Sequence, residues 1–507
     1  MTALAEVTQM PERAKVDAFA ASRERFEVVV GWLQGEQAGG LEHAALEMCL
    51  QEESREVFRQ LLQDHLDLRA LQEQRLEAVV DVDQVARTRV ETSHRALATV
   101  FGSVDVQRLA YRARGHANLH PADGALNLPV ERYSHGLRHL AAIEATRGSF
   151  DGALEAIVRG CGQQLGKRQA EQLARRAAVD FDDFYRARQR PLCDTADTLV
   201  LSCDGKGIVM RPDALRPATA KAATSKSNKL KSRLSRGEKA NRKRMAEVGA
   251  VYDTTPACRT PGDIIASAGE QAEPAAGPVA RNKWLTASVV DDAATVISAI
   301  FDEADRRDPD HVRTWVALVD GNNHQISRIK DEAKERDVNV AIVVDFIHVL
   351  EYLWSAAWAF HTEGDPAAER WVADKATQVL DGNARRVATS IRRKATRDGL
   401  DPPRRKGADA CVTYLVNKAD YLDYPVALAS GWPIATGIIE GACRHLVKDR
   451  MDLTGARWSL NGAEAILKLR AIHSNGDFDD YWTYHLVRER QRTHQSRYAE
   501  NVIPVPA

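Results

Sequence analysis

The chain has 507 residues, which at roughly 150 residues per domain corresponds to about three domains and excludes a single small module. Its 44% hydrophobic and 28% charged content supports a large buried core and excludes wholesale disorder. Seventy Lys/Arg against 71 Asp/Glu leave a formal charge of −1, a balance that taken alone argues against a polyanion partner.

Seven cysteines are scattered without a C-x-x-C pair, the usage of reduced thiols in a cytoplasmic protein and not of a disulfide framework or zinc site. The N-terminal MTALAEVTQMPERAK lacks the apolar stretch of a signal peptide. The most apolar run, Val338 to Phe360, carries Asp345, His348 and Glu351 in its middle, so no membrane association is expected.

In chain order, residues 1–100 read as a helical region, because apolar residues recur at spacings of three and four with few breakers. The segment VETSHRALATVFGSVDVQRLAYRARG shifts toward alternation around Gly-Ser, which predicts a hairpin. Within 101–190, SFDGALEAIV, RGCGQQ and LGKRQAEQLARRAA predict two helices joined by a glycine turn, with Ser149 as N-cap. Lys167, Arg168, Arg175 and Arg176 stud the outer face of the second helix. That is the look of a DNA-binding helix-turn-helix, and equally of two packed helices in an all-α domain.

Residues 191–348 change texture to α/β. DTLVLSCDGKGIVM, RMAEVGAVYDTTP and NKWLTASVVDD read as strands, followed by helix, strand, helix and a last strand, VNVAIVVDF. Residues 349–430 are helical again, 431–485 return as helices, and 486–507 read as a polar tail. Between the first two strands, Lys221 to Arg244 holds ten Lys/Arg against the single acid Glu238, a net +9. With the chain total at −1, the remainder carries −10. The run, with Lys226, Lys229, Lys231, Arg233, Arg242, Lys243 and Arg244, predicts a loop that attracts polyanions, or a surface insertion with no partner.

Asp204 and Asp320 each precede a glycine at the predicted end of a strand, where open α/β sheets bind ligands. Glu440 lies on a later helix, with Arg444 and Lys448 at i+4 and i+8. Two Asp and one Glu from distant segments suit Mg²⁺ or Mn²⁺, and two such ions can clamp an in-line phosphoryl displacement. Taken singly, Asp-Gly ends many strands and Glu440 with Arg444 makes an ordinary helical ion pair.

The order of elements, with Asp204, Asp320 and Glu440 in those places, resembles the ribonuclease H-like core of DDE transposases. VDFIHVLEYLWSAA resembles the Asp-x-x-His signature of the Mutator-like group, which gives Asp345 and His348 as accessory residues. Together with CDGKG, GWPIATGIIEGACRHLVKDRMDLTGARWS and LRAIHSNGDFDDYW, the stretch from Leu192 to Trp482 is similar to the Kra-type branch of bacterial insertion-sequence transposases. The resemblance implies an α/β ribonuclease H-like catalytic core interrupted by an all-α insertion (349–430) and preceded by a mainly helical DNA-binding region. It implies two Mg²⁺ or Mn²⁺ ions on Asp204, Asp320 and Glu440, and it adds Arg457 and Trp458 to the residues that touch DNA; Trp458 would stack on a base, or equally fill core, the commoner fate of a Trp. The partners would be double-stranded DNA, as inverted repeats and target, and further copies of the chain. A structure-selective nuclease with the same core, or an inactive DNA-binding regulator, are the alternatives.

Overall fold

The computed structural model describes residues 17–189, 194–224, 242–265, 275–453 and 455–504. It divides into two compact units, Met1–Asp180 with Asp479–Ala507, and Phe181–Phe478. Among the described residues no helix is long and apolar enough to cross a membrane. The six described cysteines are free thiols.

In the first unit, helices run over Ala20–Leu33, Glu36–Gly39 and His43–Gln72. The helical reading fails beyond Gln72. Two short strands, β1 (Val79–Val80) and β2 (Ala86–Arg87), pair across a turn and lead into β3 (Arg89–Thr99). The reason is local: β-branched residues are dense from Val79 onward, which favours extended backbone. Asp81 then caps the turn by accepting from Val85 N at 2.8 Å, with Gln84 at φ 62°.

The expected hairpin forms from β3 and β4 (Gly102–Arg112), with Thr99 opposite Gly102. Gly102 sits at φ +145°, which a side chain rarely adopts. One side of the hairpin, Leu97, Val104 and Val106, packs with Leu66 of the long helix. The helix-turn-helix pattern is present as Phe150–Cys161 and Lys167–Ala177. Ser149 Oγ caps the first by accepting from Gly152 N, and Gly162 ends it at φ 72°. Both helices pack on His135–Arg147 through Leu137, Ala141, Ile157 and Leu173.

The segment read as a polar tail is not one. A helix spans Phe478–Thr493, and its His485 and Glu489 are buried against Asp180 (2.7 Å) and Arg138 (3.0 Å). Tyr498 bridges to Asp81, and Ile503 is also buried. Charged residues with partners waiting inside the fold read as solvated ones when only the local sequence is considered.

The second unit is mixed α/β around one five-stranded sheet: β5 (Thr198–Val209), β6 (Lys243–Thr254), β7 (Ala280–Ser288), β8 (Trp315–Val319) and β9 (Val340–Val344). Their order across the sheet is β7-β6-β5-β8-β9. β6 alone runs antiparallel to its neighbours; β5, β8 and β9 are mutually parallel. The helices Ala293–Arg307 and Asn323–Glu335 provide the connections before β8 and β9. All five residues of β8 are buried, as a strand covered on both faces must be.

Beyond β9 come helices Phe346–Ala357, Pro366–Leu380, Ala384–Arg397, Pro402–Lys418 and Tyr424–Ala429. A later helix starts at Gly437–Ala442, widens to a π turn over Cys443–Lys448 and ends at Asp449–Met451. The Leu460–Ser474 helix packs against β7. Of the basic run, Lys226, Lys229, Lys231 and Arg233 lie outside the described residues, whereas Lys221 lies in the last turn of the Pro217–Thr224 helix, Arg242 precedes β6, and Lys243 and Arg244 begin it.

Candidate active site

Register alone lines up three carboxylates. Ser202 of β5 lies opposite Leu318 of β8, so two residues further on Asp204 and Asp320 reach the same level. Val319 lies opposite Val344 of β9, so Asp320 and Asp345 follow at the same level again. Adjacent strands are about 4.8 Å apart; Asp320 and Asp345 directly follow the carboxyl ends of β8 and β9, and Asp204 lies just past the point where β5 stops pairing with β8.

Asp320 follows β8 directly, and Gly321 at φ +95° turns the chain, as expected. Its Oδ1 accepts from Asn322 N at 2.8 Å, and its carbonyl accepts from the Tyr414 hydroxyl at 3.1 Å. Asp204 differs from expectation: it does not end its strand. β5 continues to Val209, with Gly205 and Gly207 paired to Glu247 and Met245 instead of turning. These glycines answer a close approach. A Cβ at Gly205 would stand 2.9 Å from Met245 Cε, and one at Gly207 2.9 Å from Lys243 Cδ. What ends at Ser202 is the ladder with β8, and this leaves Asp204 half-buried beside an open edge.

Asp345 is fully buried and caps the Phe346–Ala357 helix. It accepts from Ile347 N (3.0 Å), His348 Nδ1 (2.9 Å) and both the hydroxyl (2.6 Å) and the amide (3.3 Å) of Thr436. Burial pushes its carboxyl up, but the bonds from His348, Thr436 and Ile347 outweigh that and hold it below its ordinary value. His348 is correspondingly raised to about 9, first by its bond to Asp345, with the charges of Asp345, Glu351 and Asp320 adding.

Glu440 sits on a helix tied at two points. Four residues before it, Thr436 is bound to Asp345; three residues after it, Cys443 Sγ donates to Asp204 Oδ2 at 3.3 Å. Among the described residues, Asp345, His348 and Glu440 form the group whose ligand atoms all lie within 4.8 Å of one another. The expected trio of Asp204, Asp320 and Glu440 is not among such groups; it shares only Glu440 with this one. The Thr436 hydroxyl has one proton, given to Asp345, yet its oxygen is also 3.3 Å from Glu440 Oε1. Converging oxygens with too few protons suit a cation, and hard carboxylate oxygens suit a divalent one.

Arg444 lies 3.9 Å from Asp449, so the pairing of Arg444 with Glu440 weighed from the sequence is not made. Lys448, two turns beyond Glu440, shares a cavity of about 210 Å³ with Lys206 and Lys243, lined also by Val447, Met451 and one acid, Asp452. Of the two roles open to Trp458, the structure gives it core filling. It is 6% exposed, donates from its ring nitrogen to Met451 O at 3.0 Å, and has the Arg450 guanidinium 4.7 Å from its ring centre. No open face remains for a base, and the side chain fills core; Arg457 beside it is exposed.

On the first unit, Lys167, Arg168, Arg175 and Arg176 are all exposed, opposite the buried Ala170, Leu173, Ala174 and Ala177. Lys167 pairs with Asp151 at 2.7 Å and Arg176 with Glu131.

Sequence reasoning missed Thr436, Cys443 and Glu247. Glu247 faces Gly205 across the strand pair, and burial followed by the Asp204 charge raises its carboxyl. Only the pairing of β6 with β5 brings it there, and its local sequence, RMAEV, carries no signal for it. No protein-family model and no curated protein sequence matches the chain.

Proposed function

We propose that the chain is a DDE-type transposase of an insertion sequence, acting in the cytoplasm, and that its second unit is a ribonuclease H-like core interrupted by the all-α segment 349–430. The observation that carries this reading is the row Asp204–Asp320–Asp345 at one level across three parallel strands, with the Glu440 helix bound at Thr436 and Cys443 to both ends of it. A five-stranded sheet with only its second strand antiparallel supports the same reading.

Asp204, Asp320 and Glu440 supply hard oxygen ligands, and Asp345 with His348 holds the Glu440 helix in place. Mg²⁺ or Mn²⁺, which these carboxylates would hold, would supply Lewis acidity for the phosphoryl displacement. Lys206, Lys243 and Lys448 grip the phosphodiester beside the carboxylates. Water attacks first and leaves a 3′-hydroxyl at the element end; that hydroxyl then attacks target DNA. No covalent protein–DNA intermediate forms. The exposed cations of the Lys167–Ala177 helix would bind the inverted repeats.

Incubation of the purified chain with Mg²⁺, duplex DNA carrying element ends, and a target plasmid tests the reading. Cut ends that become joined to the plasmid are expected. Cutting without joining, and without preference for the ends, would assign a structure-selective nuclease instead.

A further inference from the structure

We infer that the outer face of the Ala384–Arg397 helix, continued by Arg404 and Lys406, is a docking surface for the backbone of duplex DNA. Between residues 384 and 406 the chain holds nine Lys/Arg against two acids, Asp398 and Asp401, a net +7. That is close to the density of the 221–244 run, and these charges stand on two helices, Ala384–Arg397 and Pro402–Lys418.

The orientation follows from burial. Ala384, Val387, Ala388, Ile391 and Ala395 are all under 5% exposed, so the arginines between them face solvent. Some of the charge is neutralised locally: Arg385 by Asp420 (2.9 Å), Lys394 and Arg397 by Asp398 (2.8 and 3.2 Å), and Arg405 by Asp409 (2.8 Å). Arg386, Arg392, Arg393, Arg404 and Lys406 make no ion pair among the described residues.

The Arg385–Arg386 and Arg392–Arg393 pairs are seven residues apart, or about 10.5 Å along the helix. A duplex presents one charge per roughly 1.7 Å of axis, so the two pairs span several phosphates. Neighbouring like charges repel unless an anion lies across them. The guanidinium fork matches phosphate oxygens two at a time.

Two further observations select the partner. No large apolar side chain is exposed between 384 and 406, so the face has nothing to insert into a lipid surface. The helix also packs on Pro402–Lys418, which packs on the helix that Asp345 caps. Two interhelical spacings of about 8–10 Å put the face on the order of 20 Å from the carboxylates, the reach of flanking phosphates on one duplex. The naming of DNA rests on the proposed function; the anion-docking face does not.

The test is fluorescence anisotropy of a labelled duplex lacking element ends, titrated with the chain and with the triple variant R386Q/R392Q/R393Q between about 50 and 200 mM salt. Far-UV circular dichroism should be unchanged, since the positions are exposed and Gln is a good helix former. The triple variant should bind at least ten-fold more weakly at low salt, with a log–log salt slope smaller by about 3. Omitting divalent cation should leave the affinity for this duplex unchanged, which separates this surface from the catalytic reading. Equal affinity and slope for the triple variant would overturn the inference. A larger loss on duplex RNA, or on phosphatidylserine vesicles, would overturn it in favour of that partner.

Discussion

The hydroxyl of Thr436 donates to Oδ2 of Asp345 at 2.6 Å and lies 3.3 Å from Oε1 of Glu440. It links a carboxylate at the end of a strand to one on a helix 95 residues later in the chain. Thr436→Val keeps the shape and removes the donor. A buried carboxylate that loses one donor costs about 1–3 kcal/mol. Cleavage of end-containing DNA should fall about 10- to 100-fold, as when an outer partner of a metal ligand is removed, with Thr436→Ser restoring it. Full activity in Thr436→Val, measured by gel-resolved cleavage, would show that the link has no part in placing Glu440.

Trp458 is expected to act on stability and not on DNA. Trp458→Ala should lower the unfolding free energy by about 3–5 kcal/mol, the usual cost of emptying a buried aromatic site. Below the new melting temperature its Kd for duplex DNA should match wild type. A loss of affinity without a loss of stability in a denaturant titration would reinstate base stacking.

The cavity shared by Lys206, Lys243 and Lys448 predicts a local salt effect. Lys206→Gln with Lys448→Gln should reduce the salt slope of DNA binding by about 2, one unit for each phosphate that the variant no longer neutralises. An unchanged slope in the same anisotropy titration would remove the cavity from the DNA path.

His135 gives the first unit an acid limit. Burial, then the Arg138 charge, pushes its imidazole from 6.5 down to about 4, so the folded chain holds it neutral. The unfolded chain binds the extra proton between those values. Stability is therefore fully present above pH 6.5 and is lost as pH falls toward 4, by up to about 3 kcal/mol. His135→Gln should flatten that part of the curve in pH-dependent chemical denaturation. An equally steep curve in the variant would place the acid sensitivity elsewhere.

The sheet was legible because its strands are buried apolar runs. WVALV and VAIVV announce themselves, and the order of strands and helices from Thr198 to Val344 followed from composition. Asp320 was legible too, since Gly321 does turn the chain. Asp204 stands out in the sequence for a partly mistaken reason: Gly205 and Gly207 make room for Met245 and Lys243 rather than making a turn. Thr436, Cys443 and Glu247 could not be found from sequence, because each matters through a partner 91, 239 or 43 positions away. The helical reading beyond Gln72 failed because the density of β-branched residues there outweighs the helical spacing. The arginines of the 384–406 segment were visible as charge, but which of them lack a counter-ion is a fact of packing.

The most direct measurement is the rate of Mg²⁺-dependent cleavage of end-containing duplex by wild type and by Asp204→Asn, Asp320→Asn and Glu440→Gln, with binding measured in parallel. All three variants should bind as wild type does and cut at least about 100-fold more slowly, beyond what removing an outer partner costs. Cleavage at the wild-type rate by all three would contradict the account.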